Sequence, residues 1–163
     1  MDKLALRRSL KQIKTSEESS NVITSKLLSL DEIKTASTLL LYYPLEDEPD
    51  IKALYSCGKS IYLPVIENDN MSFRKYNGSL KIGRFGIKEP TGEYYQDDKS
   101  TIIVVPAVAY DNEGYRLGRG KGFYDRFLSK HKIKSIGVIT KKRVIDDVAK
   151  EANDIKVDTL ITD

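Results

Sequence analysis

Cysteine is almost missing from this chain of 163 residues: Cys57 stands alone. No intrachain disulfide can form, and a zinc site that draws two or more cysteines from the chain is excluded. Tryptophan is absent and histidine occurs once, as His131. In Lys130-His131-Lys132 it reads as a solvated residue after a helix, so no Cys/His or Ser/His nucleophilic pair is in view. No apolar run approaches the roughly eighteen residues of a membrane-spanning helix. Neither sign of charge dominates. A net charge of +3 favours an anionic small molecule but is too weak to argue for nucleic acid. Internal repeats, low-complexity tracts and long linkers are also lacking.

What is present suits one soluble domain spanning residues 1–163. Hydrophobic residues make up 40% of the chain and charged residues 31%, enough to bury a core without staples. Met1-Asp2-Lys3-Leu4-Ala5-Leu6-Arg7-Arg8 is charged and lacks an apolar signal core, so a cytoplasmic protein is expected.

Leu4, Leu6, Leu10 and Ile13 recur at helical spacing over residues 2–14. Thr15-Ser16 before Glu17-Glu18 predicts the start of a second helix through Val22, Ile23, Leu27 and Leu28. Asp31 is expected to cap a short third helix near Ile33. Leu39 to Tyr43 is a continuous apolar run ending at Pro44, as expected of a strand covered on both faces. Residues 50–56 read as a short helix and Ser60 to Ile66 as a strand. The alternation from Met71 to Phe85, with Asn77-Gly78 inside it, predicts a hairpin. Thr101 to Val105 is a β-branched strand stopped by Pro106. Phe123 to Lys130 is expected to be helical, with strands at Lys134 to Thr140 and Val157 to Thr162. Strands alternating with helices predict a layered α/β fold.

The run Arg116-Leu117-Gly118-Arg119-Gly120-Lys121-Gly122-Phe123-Tyr124-Asp125-Arg126 carries the chemistry. Glycine lets backbone amides come close to a ligand, and the interleaved cations put positive charge at the same place. Two familiar phosphate motifs fail. A P-loop needs Gly-x-x-x-x-Gly-Lys-Ser/Thr; Tyr115 occupies its first position and Gly122 its hydroxyl position. In the dinucleotide fingerprint the third glycine is replaced by Phe123. A strand, a glycine-rich turn and a helix N-terminus still make an anion site from backbone amides. The plainer alternatives are a solvated Gly/Arg loop, an aromatic pair that only packs the helix, and an Asp125 that is only a helix-start acid.

Taken together, residues 105–111 (Val105-Pro106-Ala107-Val108-Ala109-Tyr110-Asp111) and 114–125 resemble the 5-formyltetrahydrofolate cyclo-ligase family, also called 5,10-methenyltetrahydrofolate synthetase. Weaker likenesses follow in order along the chain. They are Lys3-Leu4-Ala5-Leu6-Arg7, Tyr43-Pro44 with Glu48-Pro49-Asp50, Phe85-Gly86-Ile87-Lys88-Glu89-Pro90, and Asn153-Asp154-Ile155-Lys156-Val157-Asp158. Ala107 departs from a family glycine, Ile51 from a threonine, and Asn153 from a histidine.

The resemblance implies a three-layer α/β/α sandwich with a mostly parallel or mixed central sheet, CoA-transferase-like. It implies Mg²⁺-dependent conversion of 5-formyltetrahydrofolate and ATP to 5,10-methenyltetrahydrofolate, ADP and phosphate, through phosphorylation of the formyl oxygen and ring closure by N10. Such phosphoryl transfer needs positioning and charge neutralisation more than a protein nucleophile. Carried over by position, Lys3, Arg7 and Arg116, Leu117, Gly118, Arg119, Gly120, Lys121, Gly122, Phe123 and Tyr124 hold ATP. Arg119 and Lys121 stabilise the transferring phosphoryl group. Tyr43, Glu48 and Tyr124 meet the folate, and Asp125 and Asp154 hold Mg²⁺. Small-molecule partners are expected (ATP and a folate, polyglutamylated or not), with no nucleic acid or membrane, in a monomeric protein. Lys141-Lys142-Arg143 reads as a solvated turn or as an attractor for a polyglutamate tail. Two rivals remain at this point: a non-catalytic nucleotide- or folate-binding protein with a degenerate site, and an RNA-binding module built on the Arg/Gly run.

Overall fold

In the computed structural model, which describes residues 1–163, Asp2 opens helix α1 (Lys3–Leu10) by accepting from the Ala5 amide at 2.8 Å. Ser16 does the same for α2 (Glu17–Ser29), accepting from the Ser19 amide at 3.0 Å. Two acids follow in the first turn of α2, where the helix dipole favours them. Ser19, Ser20, Ile23, Thr24 and Leu27 form its buried stripe. The short α3 (Asp31–Thr35) follows. Asp31 lies in its first turn, while Leu30 holds the cap position without a side-chain bond. The expectation that Asp31 caps this helix is therefore corrected by one residue.

The central sheet contains β1 (Thr38–Leu40), β2 (Ser60–Glu67), β3 (Asn70–Lys75), β6 (Thr101–Val105), β9 (Lys134–Val138) and β10 (Thr159–Ile161). Their spatial order is β10-β9-β6-β1-β2-β3. All neighbours pair in parallel except β2 with β3. Successive side chains of a strand leave on opposite faces, and the core divides accordingly. Leu39, Ile61, Leu63, Ile102, Val104, Ile136 and Val138 pack with Ile23, Leu27 and Ile33. Leu40, Ile103 and Val105 pack on the other face with Phe127 of α4 (Phe123–Lys130). An apolar run without polar alternation is what a sheet covered on both sides requires, and the α/β/α layering follows.

The hairpin expected inside residues 71–85 does not form. The tight turn is at Asn68-Asp69, both with positive φ (52° and 61°), between β2 and β3. Paired positive φ is the hairpin turn that matches strand twist. Asn77-Gly78 instead leads into β4 (Leu80–Ile82), which pairs with β5 (Lys88–Pro90) across residues 83–87. A further small hairpin joins β7 (Ala109–Tyr110) to β8 (Arg116–Leu117). Asp111 closes its turn by accepting from the amides of Glu113 and Tyr115, each at 3.0 Å. Helix α1 packs against this hairpin, with Leu10, Val108, Ala109, Leu117 and Val148 in a third cluster. No helix is long and apolar enough to cross a membrane.

Candidate functional site

The C-terminal ends of β1 and β6 lead directly into a cavity of about 640 Å³. In parallel sheets this end is where ligands bind. After β6 the chain runs through Pro106 and Ala107 at the cavity floor, turns through the β7–β8 hairpin and returns as the glycine-rich run. Arg116 is buried and spends its guanidinium on the turn, with Nε and Nη2 donating to the Pro106 carbonyl at 3.3 and 3.0 Å. Its guanidinium also lies 4.9 Å from the Tyr124 ring centre.

Gly118, Arg119, Gly120, Lys121 and Gly122 line the cavity. Gly122 begins α4 in the left-handed conformation (φ 70°), and no side chain caps the helix. The amides of its first turn are thus left for an anion. Arg126 Nη1 donates to the Lys121 carbonyl at 2.7 Å and Nη2 to the Asp69 carbonyl at 3.1 Å, fixing the loop from behind. Lys121 itself has no carboxylate within ion-pair reach; its ammonium lies 5.7 Å from the Phe85 ring centre.

Helix α1 contributes two cations. Arg7 Nε donates to the Gly118 carbonyl at 2.7 Å. Lys3 Nζ donates to Asp154 Oδ2 at 2.8 Å and lies 3.2 Å from Glu151 Oε1. Burial works against the Asp154 charge, but the Lys3 hydrogen bond and the Glu151 amide outweigh it and hold the carboxyl below its ordinary value. Asp125 Oδ1 accepts from the Ile155 amide at 3.4 Å, which brings the two acids to the same wall. No third Asp, Glu, His or Cys joins them in a metal-binding cluster.

A second wall starts where the apolar run leaves the sheet. Tyr42 donates to the Pro49 carbonyl at 2.7 Å and folds residues 43–48 back over the cavity. Glu48 is buried, with Oε1 accepting from the Leu45 amide at 2.8 Å and Oε2 lying 3.4 Å from Arg119 Nη2. Burial pushes its carboxyl above the ordinary range, although Leu45 and Arg119 pull the other way. Tyr43 lies half-buried at the rim between Lys52 and Lys88, whose ammonium groups are 5.4 and 5.7 Å from its ring centre. Burial likewise raises the Tyr124 hydroxyl far above its ordinary value.

Of the residues predicted from sequence, Lys3, Arg7, Tyr43, Glu48, Arg116, Gly118 to Asp125 and Asp154 all line this one cavity. Leu117 does not. It is fully buried in the α1 cluster, because alternation along β8 sends Arg116 and Leu117 to opposite faces. Arg143 also departs from expectation. It is no solvated turn residue but is 1% exposed, donating to the carbonyls of Leu10, Ile13 and Val108. Only Lys141 and Lys142 of that triplet are exposed. His131 is partly covered, stacked on Phe127 at 4.2 Å between centres and 2.8 Å from Asp97.

Sequence reasoning missed Asp47, Arg84 and Arg126. Asp47 Oδ1 accepts from Arg119 Nη2 at 2.7 Å. Arg84 pairs with Asp69 at 2.7 Å and flanks Phe85, which holds a positive φ of 63° at the cavity wall. The three acids at 46–48 were the available signal for Asp47, and Arg126 stood at the end of the glycine-rich run without being given a role; Arg84 carried no signal.

Residues 2–163 match the 5-formyltetrahydrofolate cyclo-ligase family. The chain is similar to the 5-formyltetrahydrofolate cyclo-ligase of Mycolicibacterium smegmatis, 31% identical over 141 residues, or 77% of this chain and 73% of that one. It is 26% identical over 161 residues to the Escherichia coli protein of the same name, covering 90% of this chain and 88% of that one. The solved 5,10-methenyltetrahydrofolate synthetase of Aquifex aeolicus superposes with a TM-score of 0.86 at 38% identity, over 98% of this chain and 89% of that one.

Proposed function

The chain belongs to the 5-formyltetrahydrofolate cyclo-ligase family, and on that premise we propose how its cavity converts 5-formyltetrahydrofolate to 5,10-methenyltetrahydrofolate with ATP. One observation carries the reading: a cationic glycine loop at a helix N-terminus and the buried Glu48 border a single cavity.

The nucleotide phosphates lie along residues 118–122, bound by first-turn amides of α4 and by Arg7. Lys121 has no competing carboxylate, so its ammonium meets the transferring phosphoryl group together with Arg119. Glu48 accepts hydrogen bonds from the N–H edge of the pterin. Each of its oxygens already has one donor, Leu45 or Arg119, and a carboxylate has the capacity to accept more. Tyr43 and Tyr124 border the same pocket.

The formyl oxygen attacks the γ-phosphorus and ADP leaves. N10 then bonds to the activated formyl carbon and loses its proton as phosphate departs, which completes the 5,10-methenyl bridge. The chain's residues hold the reacting atoms in line and neutralise charge, and none is consumed.

Two carboxylates on one wall are too few to cage a metal alone, but they suit Mg²⁺, which takes one or two carboxylates plus phosphates and water. Asp125 and Asp154 are the residues that would hold it, with Lys3 keeping Asp154 ionised. The ion supplies neutralisation of phosphate charge. No separate feature calls for a partner protein, and the expected working unit is a monomer in the cytoplasm.

The test uses the near-ultraviolet absorbance of the methenyl product, which the formyl precursor lacks. Purified protein with Mg·ATP and 5-formyltetrahydrofolate should develop it. A folded protein that binds ADP yet produces no such absorbance would establish the non-catalytic alternative.

A further inference from the structure

Arg119 is the only glycine-loop cation tied to carboxylates, and a single nitrogen makes those ties. Nη2 lies 2.7 Å from Asp47 Oδ1 and 3.4 Å from Glu48 Oε2, while Nε and Nη1 have no protein partner at the cavity wall. A guanidinium held at Nη2 by two carboxylates has its rotamer restricted, and its Nε and Nη1 N–H groups are each left for a phosphate oxygen. Asp47 is held in turn from behind. Its Oδ2 lies 3.5 Å from Nη2 of the buried Arg143. Arg143 is locked by the carbonyls of Val108 at 2.8 Å and Leu10 at 3.0 Å. An exposed arginine on a glycine loop would otherwise sample many rotamers.

We propose that Asp47, backed by Arg143, is a positioning residue that aims the free N–H groups of Arg119 at the transferring phosphoryl group. It touches no substrate and acts only through Arg119. The proposal rests on the reading of Arg119 given above.

The arrangement links three parts of the chain. The carbonyls at the end of α1 fix Arg143, Arg143 orients Asp47, and Asp47 orients the loop. Glu48 then has a different duty from its neighbour. Its contact with Arg119 is the longer of the two, at 3.4 Å against 2.7 Å, which leaves capacity on the Glu48 carboxylate for the second substrate.

A double-mutant cycle tests this. Turnover and the ATP and folate KM values are measured for the native protein, Asp47→Ala, Arg119→Ala and the double variant. Asp47→Ala is expected to lower kcat about tenfold, within the loss a misplaced group produces, with the folate KM unchanged. The double variant should be as slow as Arg119→Ala alone. Asp47→Asn, which keeps the shape and an acceptor, should recover most of the loss. It also serves if Asp47→Ala does not fold. Calorimetric titration with ADP adds a readout independent of turnover, and Asp47→Asn should bind ADP within about threefold of the native affinity.

Multiplying losses in the double variant, or a folate KM that rises with Asp47→Ala, would overturn the positioning role while leaving the Arg119 assignment intact. Native turnover in Arg119→Ala would instead remove the assignment and the proposal together.

Discussion

The glycine-rich wall of the cavity is one run of chain, residues 118–125, whereas a second wall is assembled from residues 43–48, 64–71 and 84–89. The first wall keeps donors open: Lys121 has no carboxylate partner, and the first turn of α4 has no cap. The second wall has already used much of its polarity on its own backbone. Glu48 accepts from Leu45, and the buried Glu89 accepts from the Ile66 amide at 2.9 Å. A contiguous wall can leave its groups unsatisfied because the turn itself fixes their positions. An assembled wall needs internal bonds before it has a shape.

Removing the support behind the assembled wall is expected to have the largest effect. Arg143→Met would leave the Leu10, Ile13 and Val108 carbonyls and Asp47 without their partner. A loss of about 3–5 kcal/mol is expected in urea denaturation. A loss below about 1 kcal/mol would show that water replaces the guanidinium.

On the contiguous wall the expected damage is chemical instead. Lys121→Ala should lower kcat by about 10²–10³, while stability moves within about 0.5 kcal/mol because the side chain is exposed. Near-native turnover in this folded variant would overturn the role given to Lys121.

Glu48→Gln separates binding from stability on the assembled wall. It should weaken folate binding by about 1.5–3 kcal/mol, the worth of a hydrogen bond to a charged group, read as the folate Kd. Burial raises the Glu48 carboxyl above its ordinary 4.5, against the opposing pull of Leu45 and Arg119. The folded state therefore holds this proton more tightly than the unfolded state. The associated stability is present in acid and is lost as pH rises from 4.5 through the raised value. Glutamine carries no such loss, so the variant should be at least as stable as the native protein at neutral pH. A less stable variant would mean that the Arg119 contact outweighs burial.

The smallest effect belongs to Gly122→Ala. A φ of 70° and the Arg126 guanidinium 2.9 Å from the added methyl strain the start of α4. A cost of about 1–2 kcal/mol in thermal unfolding is expected, with a rise in the ATP KM. An unchanged ATP KM would detach this turn from the phosphates.

The same contrast explains what could be read from the sequence. Thr101 to Val105 announced a doubly covered strand by composition alone, and Ser16 announced a helix start by its cap chemistry. The glycine run was legible because all its parts are consecutive. The assembled wall was only partly so. Glu48 came from a motif, but Asp47 owes its place to Arg119, seventy-two residues away, and spacing does not encode that. Arg143 looked like a solvated cation because a Lys-Lys-Arg triplet carries no mark of which member faces inward. Asn77-Gly78 was the turn signal read from the sequence, yet the pairing of β3 with β2 closed the hairpin at Asn68-Asp69. Leu117 was swept along with its neighbours, since a motif names positions and not the faces of a strand.

Helix α1 is tied to the rest of the site by distant partners, among them Arg7 to Gly118, Lys3 to Asp154, and the Leu10 carbonyl to Arg143. Their separations in sequence are 111, 151 and 133 residues. During synthesis this helix is made before its partners and must wait until residue 154 has been added before the Lys3–Asp154 contact can exist. Closing such long loops is slow. On the proposed reading, the phosphate-binding end of the cavity is thus assembled late, and a nascent chain carrying the whole of the central β1–β2–β3 unit still lacks it.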